Sequence, residues 1–211
     1  MSAAEIYITH RVHIGSRGVS LNGQAWQAFE PGTTLPDALA ELYRRLGQAY
    51  PKFFKMDLLS KLGWLAVEII KSGGWNAAAY APEAVAMVVA NRHASNDTDL
   101  LYWQSTRQVP SPALFVYTLP NIVLGEISIR NGFKGEQAFL VQDALNASQL
   151  LDYVQMVFAA GDTQVCITGW LDLWQEEAEA FLTIVEKTKG NAAIPASAPQ
   201  FMNLYKEEIW N

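Results

Sequence analysis

Cysteine is nearly absent from this chain. The 211 residues include one, Cys166, which excludes an internal disulfide framework and any zinc site built from several cysteines. Charge is sparse as well: Asp, Glu, Lys and Arg make up 17% of the residues, and the net charge is −6. No Lys/Arg cluster supplies the basic patch that nucleic-acid binding needs, so no nucleic-acid partner is expected. No apolar run approaches the ~20 residues that span a bilayer. The N-terminus has no basic head followed by an apolar core, so no signal peptide is visible. The expected location is the cytoplasm, without membrane contact. What is present is a chain that is 50% hydrophobic, the composition of a globular domain rather than a disordered one.

Ile6, Ile8, Val12 and Ile14 fall near period two and predict a first strand over Ile6–Ile14. His10 and His13 lie on or beside it. Without a cysteine or carboxylate nearby in sequence they read as edge or surface residues, and no metal is expected. Gly15 to Gly32, rich in Gly and Ser, reads as loop. A helix opens at Pro36-Asp37, carries Leu39, Leu42 and Leu46, and stops at Gly47. A stronger helix follows Asp57, an N-cap or first-turn acid. Its stripe is Leu58, Leu59, Leu62, Leu65, Ala66, Ile69 and Ile70, and Gly73-Gly74 ends it. Ala84–Ala90 is short, apolar and continuous, as in a strand buried on both faces. Asn91 to Thr98 reads as polar loop and Asp99 to Thr106 as a helical turn. His93 and Asp99 there read either as an acid/base pair or as a solvated loop with a capping acid.

The stretch from Ser111 to Gly169 organises the rest. An apolar run is broken at Pro120-Asn121, a turn falls at Asn131-Gly132, and a strand is expected over Ala138–Gln142. A helix over Ala147–Ala160 has Leu150, Leu151, Val154, Val157 and Phe158 on one face. Gly161 and a strand over Gln164–Thr168 complete a parallel crossover pattern. Cys166, between Val165 and Ile167, reads as a small buried hydrophobe rather than a nucleophile. Glu176 to Lys187 carries both helix and strand signals.

Pro110-Ser-Pro112, the Leu119-Pro120-Asn121 turn, Gly125-Glu-Ile-Ser-Ile-Arg130 and Gly132-Phe-Lys-Gly135 together resemble the beta-ketoacyl synthase family of the thiolase fold. Lys55-Met56-Asp57 stands where that family often carries a similar tripeptide. The resemblance covers about Glu5 to Lys187. It implies an α/β fold, half of a thiolase fold: a five-stranded, mainly parallel sheet with helices on both faces. It selects a strand over Ala180–Glu186 as the last of the five. The expected organisation is a ketosynthase-like domain over 1–190 and an extended tail over 191–211, which Phe201, Tyr205, Ile209 and Trp210 could dock back.

Setting Gly161 and Gly169 on the family's glycines places its nucleophilic cysteine at Ala144, a methyl group; the family's next glycine is Trp170 here. The family's catalytic histidines belong to its second half, and none of His10, His13 and His93 matches them. The resemblance therefore implies no catalytic residue and no cofactor, and a role like that of chain-length factors, the silent relatives that pair with an active ketosynthase. It also implies that a lone half leaves an apolar face open. Candidate interface or tunnel residues are Phe115, Thr118, Leu119 and Ile122, with Ala138, Leu140, Val141 and Gln142 on an edge strand that pairs with another chain. The expected partners are a complete ketosynthase or a second copy, with an acyl carrier protein as a further candidate. The context implied is fatty acid or polyketide-type elongation, of polyene or resorcinol pigments. Two other readings stand beside it: a self-associating structural or acyl-binding homodimer, and an enzyme with chemistry relocated to His93 and Asp99.

Overall fold

A computed structural model describes residues 5–188, 193–207 and 209. At its centre lies β4 (Val85–Asn91), buried at every residue. This is why the segment is continuously apolar: both faces of the strand are covered. It pairs in parallel with β5 (Gln137–Val141) on one side and β6 (Val165–Trp174) on the other. β6 turns back at Gln175-Glu176 into β7 (Glu177–Glu186), antiparallel along its length. β7 pairs antiparallel with β1 (Tyr7–Gly15). From there β2 (Gly18–Leu21) and β3 (Gln24–Ala28) continue as a meander, and β8 (Ile194–Pro195) adds a short pairing to β1.

The sheet therefore has eight strands, in the order β3-β2-β1-β7-β6-β4-β5 with β8 beside β1. It is mixed, not five-stranded and mainly parallel: β4 makes both parallel pairings, and every other pairing is antiparallel. The three added strands, β2, β3 and β8, come from segments that the sequence reads as loop or tail. Gly15 to Gly32 is a meander because its glycines sit in tight turns. Asn22 and Gly23 have φ of 52° and 80°, the left-handed pair that a two-residue hairpin turn demands.

Helices cover both faces. On one face lie α1 (Leu35–Leu46), α2 (Leu58–Ser72) and α5 (Ile122–Asn131). α1 is capped by Thr34 and ends on Gly47 in the left-handed region. Asp57 caps α2, accepting from the Ser60 amide at 3.0 Å. α2 is buried on nearly all sides, and Gly63 lets it approach: a Cβ there would press on Val123 of α5 and Leu171 of β6. α3 (Asn96–Ser105) and α4 (Pro112–Val116) pack on each other beyond the end of β4. Asn91 to Thr98 is thus only partly loop, since the helix begins at Asn96.

On the opposite face lie α6 (Ala147–Ala160) and α7 (Ala198–Tyr205). The five apolar residues of α6 named from the sequence are all buried. The tail is not extended along its length: α7 docks beside α6 with Phe201 wholly buried and Tyr205 half-buried. Burying one such phenylalanine is worth ~1.5–3 kcal/mol. Ile209 is half-buried, and Trp210 lies outside the described residues. The face over α6 is consequently closed by the chain's own C-terminal helix, not left open. Apart from Met156, the outward residues of α6, among them Ser148, Gln149 and Asp152, are polar or small.

Candidate functional site

Ala144 sits exposed in the turn between β5 and α6. It opens onto a cleft of about 970 Å³ whose walls include Leu140 and Val141 of β5, Gln149 of α6 and Met202 of α7. A helix N-terminus offers free N–H groups and a positive dipole end. Here part of that set is engaged locally. Asn146 caps α6, its Oδ1 accepting from the Gln149 amide at 3.1 Å. The Gln142 side chain accepts from the Asn146 amide at 3.3 Å and donates to Gln149 Oε1 at 3.0 Å. The cleft presents the Ala144 methyl group beside a partly satisfied polar turn, with Arg92, Asp143 and Ser148 also in its walls. None of the three histidines lines it.

The histidines lie elsewhere, and each meets a partner that sequence spacing could not reveal. His13 places Nε2 2.9 Å from Glu179 Oε1, across the β1–β7 pairing. It thus has a carboxylate neighbour, contributed by a strand more than 160 residues away in sequence. Burial pushes the Glu179 carboxyl up, but hydrogen bonds from His13 and Tyr205 outweigh this and hold it below the ordinary glutamate range. His10 Nδ1 lies 3.1 Å from Thr9 Oγ1, and burial lowers the imidazole's pKa. His93 does not pair with Asp99. Its Nδ1 lies 2.8 Å from Asp172 Oδ2, while the backbone amides of Arg92 and His93 donate to Asp172 Oδ1 at 3.1 and 3.0 Å. Its ring stacks on Trp174. Asp99 sits beside the Ser95 hydroxyl at 3.5 Å, with its carboxyl raised by burial. Cys166 is wholly buried in β6, and burial pushes its thiol up. Among the described residues no three His, Cys, Asp or Glu converge as a metal site. No helix among them is long and apolar enough to cross a membrane.

The surface candidates divide. Among the described residues β5 is the terminal strand of the sheet and pairs only with β4. Its Ala138 and Leu140 are half-buried, Gln142 follows it, and Val141 is 58% exposed. Phe115 and Leu119 are 59% and 57% exposed, whereas Thr118 and Ile122 are half-buried. The Phe115–Ile122 segment is held from beneath. Ser95 Oγ donates to the Thr118 carbonyl at 2.6 Å, and Tyr117 points inward to donate to the buried Glu126 carboxylate at 3.0 Å. Lys52 meets the other Glu126 oxygen at 2.7 Å. Sequence reading missed that α3 extends this apolar surface: Leu100, Leu101 and Trp103 are also exposed, and Tyr102 contacts the Phe115 ring. The available signal was a cluster of large apolar residues within Asp99 to Thr106, the segment read as a helical turn.

No protein-family model matches the sequence, and no curated protein matches it. Solved structures do match in shape. A chain of the ishigamide ketosynthase/chain length factor superposes with a TM-score of 0.63 at 14% identity, covering 90% of this chain. A chain from the ketosynthase (ApeO) in complex with its chain length factor (ApeC) of Xenorhabdus doucetiae superposes with a TM-score of 0.57 at 13% identity. The chain has the ketosynthase fold. A third match, at a TM-score of 0.59 and 12% identity, is a chain of AntDE:AntF, a type II PKS acyl-carrier protein in complex with its ketosynthase bound to the hexaketide. The chain spans 64% of the ishigamide chain and 62% of the AntDE:AntF chain. Against the Xenorhabdus complex it spans 90% of the matched chain, with 95% of its own length used. That ketosynthase-fold chain is therefore close to this one in length.

Proposed function

We propose that this chain is a non-catalytic, chain-length-factor-like subunit that pairs with a complete ketosynthase during fatty acid or polyketide-type chain elongation, of the kind that makes polyene or resorcinol pigments. One observation carries the reading. The turn that would present a nucleophile at the start of α6 presents Ala144, while the strand leading into it, β5, is an unpaired sheet edge with Val141 exposed. Condensation through an enzyme-bound acyl group needs a nucleophile and a stabiliser for the oxyanion. The Ala144 position offers no thiol and no histidine lines its cleft, while its edge strand is suited to pairing with a second chain. The apolar surface of Leu100, Leu101, Trp103, Phe115 and Leu119 adds the hydrophobic area that a stable contact requires. The fold likeness to a chain of similar length, in a complex of a ketosynthase with its chain length factor, supports the same reading. On this reading Phe115, Thr118, Leu119 and Ile122 lie at or near the contact and shape the space available to a growing chain, and an acyl carrier protein visits the assembly.

The test is co-expression with a ketosynthase from the same source, followed by co-purification and light scattering. The wild-type chain is expected to co-elute with the ketosynthase. Val141→Lys is expected to weaken the complex about a hundredfold while leaving circular dichroism unchanged, because an unpaired charge buried at a contact costs several kcal/mol. A wild-type chain that stays monomeric and binds no ketosynthase would overturn the proposal. A homodimer that ignores the ketosynthase would favour the structural-homodimer reading instead, which rests on the same unpaired β5 edge.

A further inference from the structure

We propose that α7 is a hinged strap that closes the α6 face of the sheet and opens from its Tyr205 end. The inference does not depend on any partner. The strap has an apolar hinge anchored by one buried ring. β8 pairs with β1 through Ile194 and Ile8, the Ala196 amide donates to the Ile6 carbonyl at 2.9 Å, and Phe201 is wholly buried with its ring edge-on to Phe181. The far end is different in kind. There the Tyr205 hydroxyl donates to Glu179 Oε2 at 2.8 Å while His13 holds Glu179 Oε1 at 2.9 Å, so one carboxylate joins the strap to the sheet. The Tyr205 ring stacks on His13 and meets Phe181 edge-on. Just past the helix, Glu207 pairs with Arg11 of β1.

This latch is reachable by water. It borders a cleft of about 680 Å³ whose walls include Arg17, Asp172, Glu176, Glu177 and Lys206. Polar groups in contact with a cleft can exchange partners with solvent, whereas Phe201 and Ile194 cannot leave without exposing apolar surface. α7 is also only eight residues long, below the ~12–15 at which a free helix begins to hold its shape. Its helicity is maintained by docking, so loss of the latch frees the Tyr205 end first and the hinge last. Opening uncovers Phe181 and Leu204 and removes the Met202 wall of the cleft at Ala144. One local event thus alters both the apolar floor and the space beside the edge strand.

The experiment is hydrogen–deuterium exchange of the full chain at neutral pH, read by mass spectrometry. Tyr205→Phe keeps the ring and removes only the hydroxyl. It is expected to speed exchange in Ala198–Tyr205 about tenfold while β4 and α2 keep their protection, the behaviour of a local opening unit. Glu179→Gln is expected to reproduce that pattern. Phe201→Asp is expected to extend it into α6. Exchange in Tyr205→Phe and Glu179→Gln indistinguishable from wild type would overturn the strap, because the latch would then hold nothing. Simultaneous loss of protection in α7, α6 and β4 would overturn it too, since α7 would then be part of the global unit.

Discussion

The Asp172 carboxylate ties three donors from one short loop: the His93 imidazole at 2.8 Å and the backbone amides of Arg92 and His93 at 3.1 and 3.0 Å. It binds the end of β4 to β6 at the point where α3 departs, and Trp174 covers the histidine ring. Asp172→Ala leaves these donors without their acceptor. The expected cost is ~1–3 kcal/mol of folding stability, measured as a lowered urea midpoint. A midpoint equal to that of the wild type would show that water replaces the carboxylate without loss.

Gly169 is expected to tolerate no side chain. It has φ of +155°, and a Cβ there would overlap the carbonyl oxygen of Phe181 on the neighbouring strand. Gly169→Ala must push β6 and β7 apart in the middle of the sheet, so the expected loss is ~3 kcal/mol or more. The check is recovery of soluble protein together with the unfolding midpoint. Gly161 is the useful comparison, because nothing lies within 4 Å of the Cβ it would gain.

Ala144→Cys is expected to give no condensing turnover with malonyl- and acyl-carrier substrates. The thiol would face a turn whose amide is already capped by Asn146, and no histidine would stand in its cleft. Product formation above the buffer rate by the purified single chain would contradict the assignment of this cleft as non-catalytic.

Glu179 sets an acid-side dependence. Its carboxyl is held below the ordinary range in the folded protein, against ~4.3 in an unfolded chain. Its contribution is therefore fully present above that unfolded value and is lost as pH falls through the folded one. The stability gap between wild type and Glu179→Gln is expected to be widest at neutral pH and to shrink below the glutamate range. Urea midpoints over that interval would show it, and a gap independent of pH would remove Glu179 from the account.

Much of the helical layer was legible because its signals are local. Asp57 and Gly47 mark a helix start and a helix end by their own chemistry, and the stripes of α2 and α6 follow the helical period. The β4–β5–β6 core was legible for the same reason, being short apolar runs between polar or turn-forming residues. The meander was not read. Asn22-Gly23 is a strong hairpin signal, but its flanks alternate poorly, with Gln24, Ala25 and Gln27 where apolar residues would mark a strand. The site partnerships were beyond any local reading. His13 with Glu179 and His93 with Asp172 are joined only by strand order, and the nearer carboxylate in sequence, Asp99, was the wrong one. Val141 stands exposed on the terminal strand β5, while the closure of the α6 face was left as an alternative in the sequence, because one eight-residue helix with a buried Phe201 decides it.

The place of β1 in the strand order governs how the chain assembles. β1 pairs with β2 within its own hairpin and with β7, whose Glu186 lies opposite Tyr7. During synthesis the meander can form before β7 exists, and the β7-facing side of β1 stays unsatisfied until that strand has been made. The β4–β5–β6 unit must meanwhile be held together by its own crossover helices. Long-range pairing of this kind slows folding and leaves strand edges exposed in the interim. The two sheet halves become one only when β7 arrives between β1 and β6, so the pairing of this one strand joins the meander to the parallel core.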